Sequence, residues 1–204
     1  MIRLSLSETA SAISGQLNGI DSVFKGVSVD SRTLKSGQLF IAIKGEKNDG
    51  HSVLEDVKNK GGVGAIVNSL STRVKIPQIV VKDSIKSLGD LAHFWRKNFT
   101  VKVIGITGSV GKTTVKEMLG TIIKQVGNPL VSEGNYNNEI GVPLTLLKLS
   151  NEINFVVLEM GAAKPGDIKY LSELAIHDVG IITKCSPAHL SGFGNLETIA
   201  RTKG

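Results

Sequence analysis

A strand, a glycine-rich turn and a helix follow one another between residues 101 and 126. The largely apolar run at residues 101–106 is typical of a buried strand. The turn at residues 108–111 comes directly after it, and Lys112 opens a helix with apolar residues at spacings of three and four. Such an order predicts an α/β layer with a glycine loop between a strand end and a helix start. The predicted buried face of the helix consists of Val115, Met118, Leu119, Ile122, Ile123 and Val126.

The glycine turn has the chemistry of a phosphate-binding loop. Glycines let backbone N–H groups approach a ligand, and a helix N-terminus adds unpaired donors and a partial positive charge. Lys112 would reach the outer phosphates, and the Thr113 hydroxyl would hold Mg²⁺. The full motif has a further glycine where this chain has Ile106, and an ordinary turn with a surface lysine is the alternative. The predicted phosphate-binding residues are Thr107, Gly108, Ser109, Val110, Gly111, Lys112, Thr113 and Thr114.

Composition limits the class of protein. The 204 residues are 41% hydrophobic and 21% charged, as in globular proteins. The net charge of +6 is scattered, which favours an anionic nucleotide over nucleic acid as the ligand. The single Cys185 excludes an internal disulfide framework and a cysteine zinc cluster. Without a signal-peptide core or a run of transmembrane length, we expect a cytoplasmic protein that binds no membrane.

The order of elements predicts two α/β domains. A polar stretch at residues 97–100 precedes the phosphate-loop strand, so we place the boundary there, with domains at 1–98 and 99–204. The second is expected to be a P-loop-type, mostly parallel α/β domain. It supplies about four strands, and its last helix begins after Asn195. An unfinished parallel sheet is a poor stopping point, so we expect a fragment of a longer protein.

Polar residues follow several predicted strands, where open α/β sheets bind ligands. Glu159 ends a strand near the phosphate loop, which is the usual place for a Mg²⁺ ligand, and His189 follows another strand. An exposed terminal glutamate and a structural histidine are the alternatives. Residues 132–145 are expected to form an asparagine-rich loop. A surface salt bridge is the alternative for Arg32, a helix-start residue is the alternative for His51, and ordinary turn chemistry is the alternative for the asparagines. The candidate ligand contacts are Asp30, Ser31, Arg32, Lys44, Asp49, His51, Asn135, Asn137, Asn138 and Thr145.

Taken together, these motifs resemble the Mur ligases, the ATP-dependent enzymes that build the peptide stem of peptidoglycan. The resemblance extends over essentially the whole chain and is greatest to the members that add D-alanyl-D-alanine to UDP-N-acetylmuramoyl-tripeptide. Two departures are Ala163 with Lys164, and Lys184 with Cys185, where the family more often has asparagine. The motifs are residues 29–32 (VDSR), 37–45 (GQLFIAIKG), 49–51 (DGH), 107–113 (TGSVGKT), 134–143 (GNYNNEIGVP), 159–162 (EMGA) and 188–194 (AHLSGFG).

The resemblance implies a peptide ligase of three domains. The first binds the UDP end of the precursor, the second binds ATP, and a third completes the site and is expected to be missing from this chain. The precursor carboxylate attacks ATP to give an acyl phosphate, which the dipeptide amine then displaces. Lys112 would stabilise the transferred phosphoryl group, Thr113 and Glu159 would hold one Mg²⁺, and His189 would help to hold a second. Lys203 falls where the family carries a carbamylated lysine.

Other interpretations remain open at this point. A non-catalytic module that binds a nucleotide or the UDP precursor would share the phosphate loop, but it would not need Glu159 and His189 beside it. A folate polyglutamate synthase resembles Mur ligases mainly outside the N-terminal domain, which argues against that assignment. We expect a monomer, and we expect the 204 residues alone to have little or no ligase activity.

Overall fold

The computed structural model describes residues 1–46 and 48–186, together with Thr198 and Thr202. The chain divides into two compact units, Met1–Phe94 and Trp95–Gly204. Both contain α-helices and a mainly parallel β-sheet, which confirms the predicted fold class. Over the described residues, no helix combines the length and the apolar character required to cross a membrane.

The first unit is built on a five-stranded sheet with the order β2-β7-β6-β5-β4, beside a two-stranded sheet of β1 and β3. Strands β4 to β7 are parallel, so their carboxyl ends share one edge, whereas β2 is antiparallel. The strands are β1 (Arg3–Ser5), β2 (Gln16–Asn18), β3 (Val23–Lys25), β4 (Val27–Ser28), β5 (Leu39–Ile41), β6 (Gly64–Val67) and β7 (Gln78–Val80). The helices in this part of the chain are α1 (Leu6–Ala12), a 3₁₀ turn (Gly50–Val53), α2 (Leu54–Asn59) and α3 (Ser84–Arg96).

The second unit is a four-stranded, fully parallel sheet with the order β11-β8-β10-β9. The phosphate-loop strand β8 lies between β11 and β10, so the loops that follow these three strands meet at one edge. The strands are β8 (Lys102–Thr107), β9 (Pro129–Val131), β10 (Phe155–Glu159) and β11 (Val179–Ile182). The helices are α4 (Lys112–Ile123), α5 (Gly141–Leu146) and α6 (Asp167–Ala175).

Helix α4 lies on the sheet by a face different from the one that its apolar pattern predicts. Val115, Leu119 and Ile123 pack in the core as expected. Met118, Ile122 and Val126 are 60%, 60% and 76% exposed, so this part of the prediction is wrong. The reason is close packing at Gly120, where an added Cβ would lie 2.9 Å from Val131 in β9. That contact turns Lys116 inward and turns the apolar residues on the other side of the stripe to the surface.

Two other differences from the expected elements concern short segments. Strands β1, β2 and β3 were not expected; each has three residues, too few for an alternating pattern to be recognised. Residues 141–146 form helix α5 within a stretch expected to be a loop. The Asn138 side-chain oxygen accepts from the backbone N–H groups of Ile140 and Gly141 and so supports the start of this helix.

Arg96 joins segments of the second unit that are distant in sequence. Its side chain is buried, and its guanidinium donates to the main-chain carbonyls of Phe99, Val101, Ala175 and Ile176. These carbonyls lie at the entry to β8 and at the end of α6. Arg96 therefore fixes the beginning of the strand that carries the phosphate loop.

Candidate functional site

The loop between β8 and α4 has the backbone form that its glycines predict. Gly108 has a φ of 142° and Gly111 a φ of 89°, both in the region that side chains disfavour. A Cβ at Gly108 would overlap the Thr183 hydroxyl. Gly111 is the N-cap of α4, so Lys112 starts the helix directly at the loop, as expected.

The segment that follows β11 holds the phosphate loop in place, which the sequence analysis did not anticipate. The Thr183 hydroxyl donates to the Val110 carbonyl at 2.7 Å. The Ser109 N–H donates to the Lys184 carbonyl at 2.6 Å, and the Ser109 hydroxyl donates to the Ser186 carbonyl at 2.9 Å. The strand order could have predicted this contact. Because β11 lies beside β8 and runs parallel to it, its carboxyl end must lie at the same edge of the sheet as the phosphate loop.

The predicted phosphate-loop side chains point in different directions. The Lys112 ammonium donates to the Gly108 carbonyl at 2.9 Å, and Lys112 lines a pocket beside the loop. The Thr107 hydroxyl is buried and has no hydrogen-bond partner among the described residues. Thr107 lines a separate cavity of about 410 Å³ together with His177, and it is not among the residues that line the pocket beside Lys112. Val110 and Thr114 are exposed.

Glu159 lies at the end of β10, beside the phosphate loop, as its position predicts. It pairs in register with Ile106 of β8, and it is only 3% exposed. One carboxylate oxygen accepts from the Thr113 hydroxyl at 2.8 Å, and the other accepts from the Asn137 side-chain amide at 2.9 Å. Its backbone N–H donates to the hydroxyl of the buried Ser132 at 3.0 Å. The carboxylate is therefore fixed in orientation from both sides.

The donor set at this point fits a magnesium ion. The Thr113 hydroxyl and the Glu159 carboxylate are hard oxygen ligands in direct contact. Within the described ranges, no group of three or more histidine, cysteine, aspartate or glutamate side chains could hold a metal. A Mg²⁺ held here would thus complete its shell with phosphate oxygens and water, as this ion usually does. The predicted His189 and Lys203 lie outside the described residues.

A pocket of about 450 Å³ opens beside the loop and Glu159. It brings together the phosphate loop, the asparagine-rich loop and the start of α6, which sequence reasoning did not assign to the site. Asp167 accepts from the N–H groups of Ala163 and Lys164 and shapes that wall. The lining residues are Gly108, Ser109, Lys112, Asn135, Asn137, Asn138, Glu139, Gly161, Ala162, Ala163, Asp167, Tyr170 and Leu171.

Three asparagines predicted as contacts line the pocket, but Thr145 does not. Thr145 is 2% exposed in α5, and its hydroxyl donates to the Gly141 carbonyl. Asn137 contributes twice, because its amide reaches Glu159 and its carbonyl accepts from the Gly161 N–H at 2.7 Å. A Cβ on Gly141 would overlap the backbone of Tyr136, so the loop folds tightly onto the helix.

In the first unit, the predicted Asp30 and Arg32 form a local ion pair at the carboxyl end of β4. The Arg32 guanidinium donates to the Asp30 carboxylate, with contacts from 2.7 to 3.1 Å. These hydrogen bonds hold the pKa of Asp30 at about 2. The Arg32 side chain is 86% exposed, whereas Ser31 is buried and offers its carbonyl to Lys60.

His51 is engaged through both ring nitrogens. Nδ1 lies 2.7 Å from the Asp49 carboxylate, and Nε2 accepts from the Asn68 N–H at 2.9 Å, which assigns the ring proton to Nδ1. The hydrogen bonds from His51 hold the pKa of Asp49 below its usual value. The backbone of Lys44 pairs with that of Asp49, so these residues close one loop after β5. His51 thus orients this loop, and its role as a direct ligand contact stays a prediction.

Comparison with known proteins assigns both parts of the chain to one family. Residues 23–96 match the model "Mur ligase family, catalytic domain", and residues 106–204 match "Mur ligase middle domain". The UDP-N-acetylmuramoyl-tripeptide–D-alanyl-D-alanine ligase of Escherichia coli K12 is 40% identical over 204 residues, which cover all of this chain and 45% of that protein.

Solved structures agree with the sequence comparison. The crystal structure of MurF from Acinetobacter baumannii matches with a TM-score of 0.94 and 36% identity, over all of this chain and 46% of that one. MurF from Thermotoga maritima, solved in complex with ADP, matches with a TM-score of 0.81 and 34% identity, over 88% of this chain and 42% of that one. The chain therefore spans less than half the length of these relatives.

Proposed function

Because this chain belongs to the Mur ligase family, we propose that it is the precursor-binding and nucleotide-binding part of a peptide ligase. The whole protein would join D-alanyl-D-alanine to UDP-N-acetylmuramoyl-tripeptide at the expense of ATP, in the cytoplasm. The names of relatives that match along the full chain support these substrates. The observation that carries the proposal is the contact of Glu159 with Thr113 beside the phosphate loop, next to Asn137, which lines the 450 Å³ pocket.

The phosphate loop and its lysine would hold the nucleotide. Backbone N–H groups of the loop and the N-terminus of α4 favour an anion at this point. Lys112 now donates to the Gly108 carbonyl, and it would exchange that acceptor for a phosphate oxygen. Thr113 and Glu159 would hold Mg²⁺, which, when bound, offsets the repulsion between an attacking carboxylate and the phosphates.

The remaining pocket wall would receive the reacting end of the precursor. Its terminal carboxylate would attack the γ-phosphorus, ADP would leave, and the dipeptide amine would then displace phosphate from the acyl carbon. Asn135 and Asn138 offer amide groups on this wall, and Asn137 keeps Glu159 in place. A module that only bound nucleotide would not require a buried, doubly hydrogen-bonded carboxylate there, and this favours the enzyme over the binding module.

The UDP end of the precursor would bind to the first unit. The loops after the parallel strands β4 and β5 carry Ser31, Arg32, Lys44, Asp49 and His51 near a shared sheet edge. The exposed Arg32 is suited to a diphosphate, because its guanidinium can pair with two oxygens at once. We expect the protein to act as a monomer.

Calorimetric titration of the 204-residue chain with ADP, with and without Mg²⁺, tests the nucleotide site. The wild type should bind one ADP, and Mg²⁺ should strengthen the binding. Lys112→Ala should weaken it about 10-fold or more, since a hydrogen bond from a charged donor contributes about 1.5–3 kcal/mol. Lys124→Ala, at the exposed far end of α4, is the matched control. A folded chain that binds no ADP, or equal affinity of Lys112→Ala and the wild type, would contradict the proposal.

A further inference from the structure

Lys116 is a lysine whose side chain is completely buried. It lies one turn after Lys112 in α4, and its side chain is 0% exposed. The ammonium is 3.0 Å from the Glu117 carboxylate and 3.4 Å from the carbonyl oxygen of Gly134. Lysines are almost never fully buried unless they are paired, because the charge loses its hydration. The contacts of this ammonium must therefore compensate for its lost hydration, and their role in the site needs an explanation.

The Gly134 carbonyl belongs to the turn that begins the asparagine-rich loop. Gly134 has a φ of 49°, and a Cβ added there would meet nothing within 4 Å. No neighbouring atom packs against the position of that Cβ. The carbonyl oxygen of Gly134, in contrast, lies 3.4 Å from the buried ammonium. The only other lysine paired to this turn among the described residues is Lys148, which contacts Glu133 and is 35% exposed.

The same turn leads to the group that holds the carboxylate. Three residues after Gly134, the Asn137 amide donates to Glu159 at 2.9 Å. Glu159 in turn accepts from Thr113, which lies on the same face of α4 as Lys116. Helix α4, the asparagine-rich loop and the end of β10 are thus linked to one another through hydrogen bonds around Glu159. Lys116 supplies the contact between the helix and the loop.

We propose that Lys116 is a positioning residue of the magnesium and nucleotide site. Its buried ammonium holds the Gly134 carbonyl, so that the loop presents Asn137 to Glu159 and the carboxylate keeps the orientation needed for Mg²⁺. This inference rests on the proposed function of the pocket. Lys116 acts only through the loop, and it does not touch the nucleotide.

The test is a double-mutant cycle in the 204-residue chain, with the Mg²⁺-dependent gain in ADP affinity as the readout. Lys116→Met keeps the apolar stem and removes the charge, and Asn137→Ala removes the amide that reaches Glu159. Each single variant should lose about 10-fold or more of the gain, as expected for a charge-assisted hydrogen bond. The double variant should lose no more than either single variant. Affinity without Mg²⁺ should change little in all three.

Lys148→Met is the control, because it removes the more exposed lysine contact with the same loop. In this variant the Mg²⁺-dependent gain in ADP affinity should change less than about threefold. Thermal melts establish that each variant is folded. If Lys116→Met does not fold, Lys116→Leu replaces it in the cycle, and failure of both to fold would overturn the proposal. A wild-type gain in Lys116→Met, or additive losses in the double variant, would also overturn it. A wild-type chain that does not bind ADP would instead refute the proposed function.

Discussion

Asn137→Asp should destabilise the protein in a strongly pH-dependent way. The Asn137 side chain lies 2.9 Å from one oxygen of Glu159, which is 3% exposed. The substitution has nearly the same shape, but it replaces an amide donor with a second carboxylate at that distance. Two carboxylates in such a site cannot both ionise cheaply.

The size of the effect follows from two competing costs. At an effective dielectric constant of about 20, two charges about 3 Å apart repel by about 6 kcal/mol. Keeping one proton on the pair costs less: relative to an ordinary carboxyl with a pKa of about 4, it costs about 1.4 kcal/mol at pH 5 and about 4 kcal/mol at pH 7. The folded variant should therefore keep the proton. Because the pKa of the pair is raised on folding, stability is present at low pH and is lost as the pH rises.

Urea denaturation of the wild type and the variant at pH 5 and pH 7 measures this difference. Asn138→Asp is the matched control for stability, since the Asn138 side-chain oxygen accepts from the N–H groups of Ile140 and Gly141, a role that aspartate keeps. That control should be as stable as the wild type at both pH values. Equal stability of Asn137→Asp and the wild type at pH 7 would refute the contact between Asn137 and Glu159.

Three further substitutions have defined outcomes. Arg96→Met should lower the free energy of unfolding by about 3 kcal/mol or more in urea titrations, because it leaves buried carbonyls without their donor. Asp30→Asn should lower the stability less and less as the pH falls. Because the pKa of Asp30 is about 2 in the folded protein, the stability from its pair with Arg32 is present above pH ~4 and is lost toward pH 2. Unfolding midpoints across this range should converge for the two proteins. Gly108→Ala should abolish ADP binding in calorimetry while the chain still folds, because its Cβ would overlap the Thr183 hydroxyl.

The strand, loop and helix around Lys112 could be predicted because their pattern is local. A buried strand, two glycines and a helical period are all visible within residues 101–126. The orientation of α4 on the sheet could not be predicted, because it depends on the close approach of Gly120 to Val131, which lies in strand β9. The apolar stripe of α4 is wider than the face that the sheet covers, so periodicity alone places the exposed Met118 and the packed Leu119 on the same buried side.

The candidate site was predictable where topology fixes it. Glu159 was identified because the carboxyl ends of neighbouring parallel strands meet at one edge. The same reasoning extended to β11 would have found Thr183. The partners of Glu159 and the burial of Lys116 were not predictable, since they depend on how residues 132–141 fold over α4. The segment continues directly into helix α5, and the many asparagines and glycines before this helix led the sequence analysis to expect a loop.

The most direct measurement is calorimetric titration of the chain with UDP-N-acetylmuramoyl-tripeptide, with UMP as the reference ligand. A precursor-binding unit predicts saturable, one-to-one binding that is tighter than that of UMP, and Arg32→Ala should weaken it, since this exposed guanidinium is proposed to meet the diphosphate. A folded chain that binds neither ligand, or that binds UMP and the precursor equally well, would contradict the assignment of this chain to such a ligase.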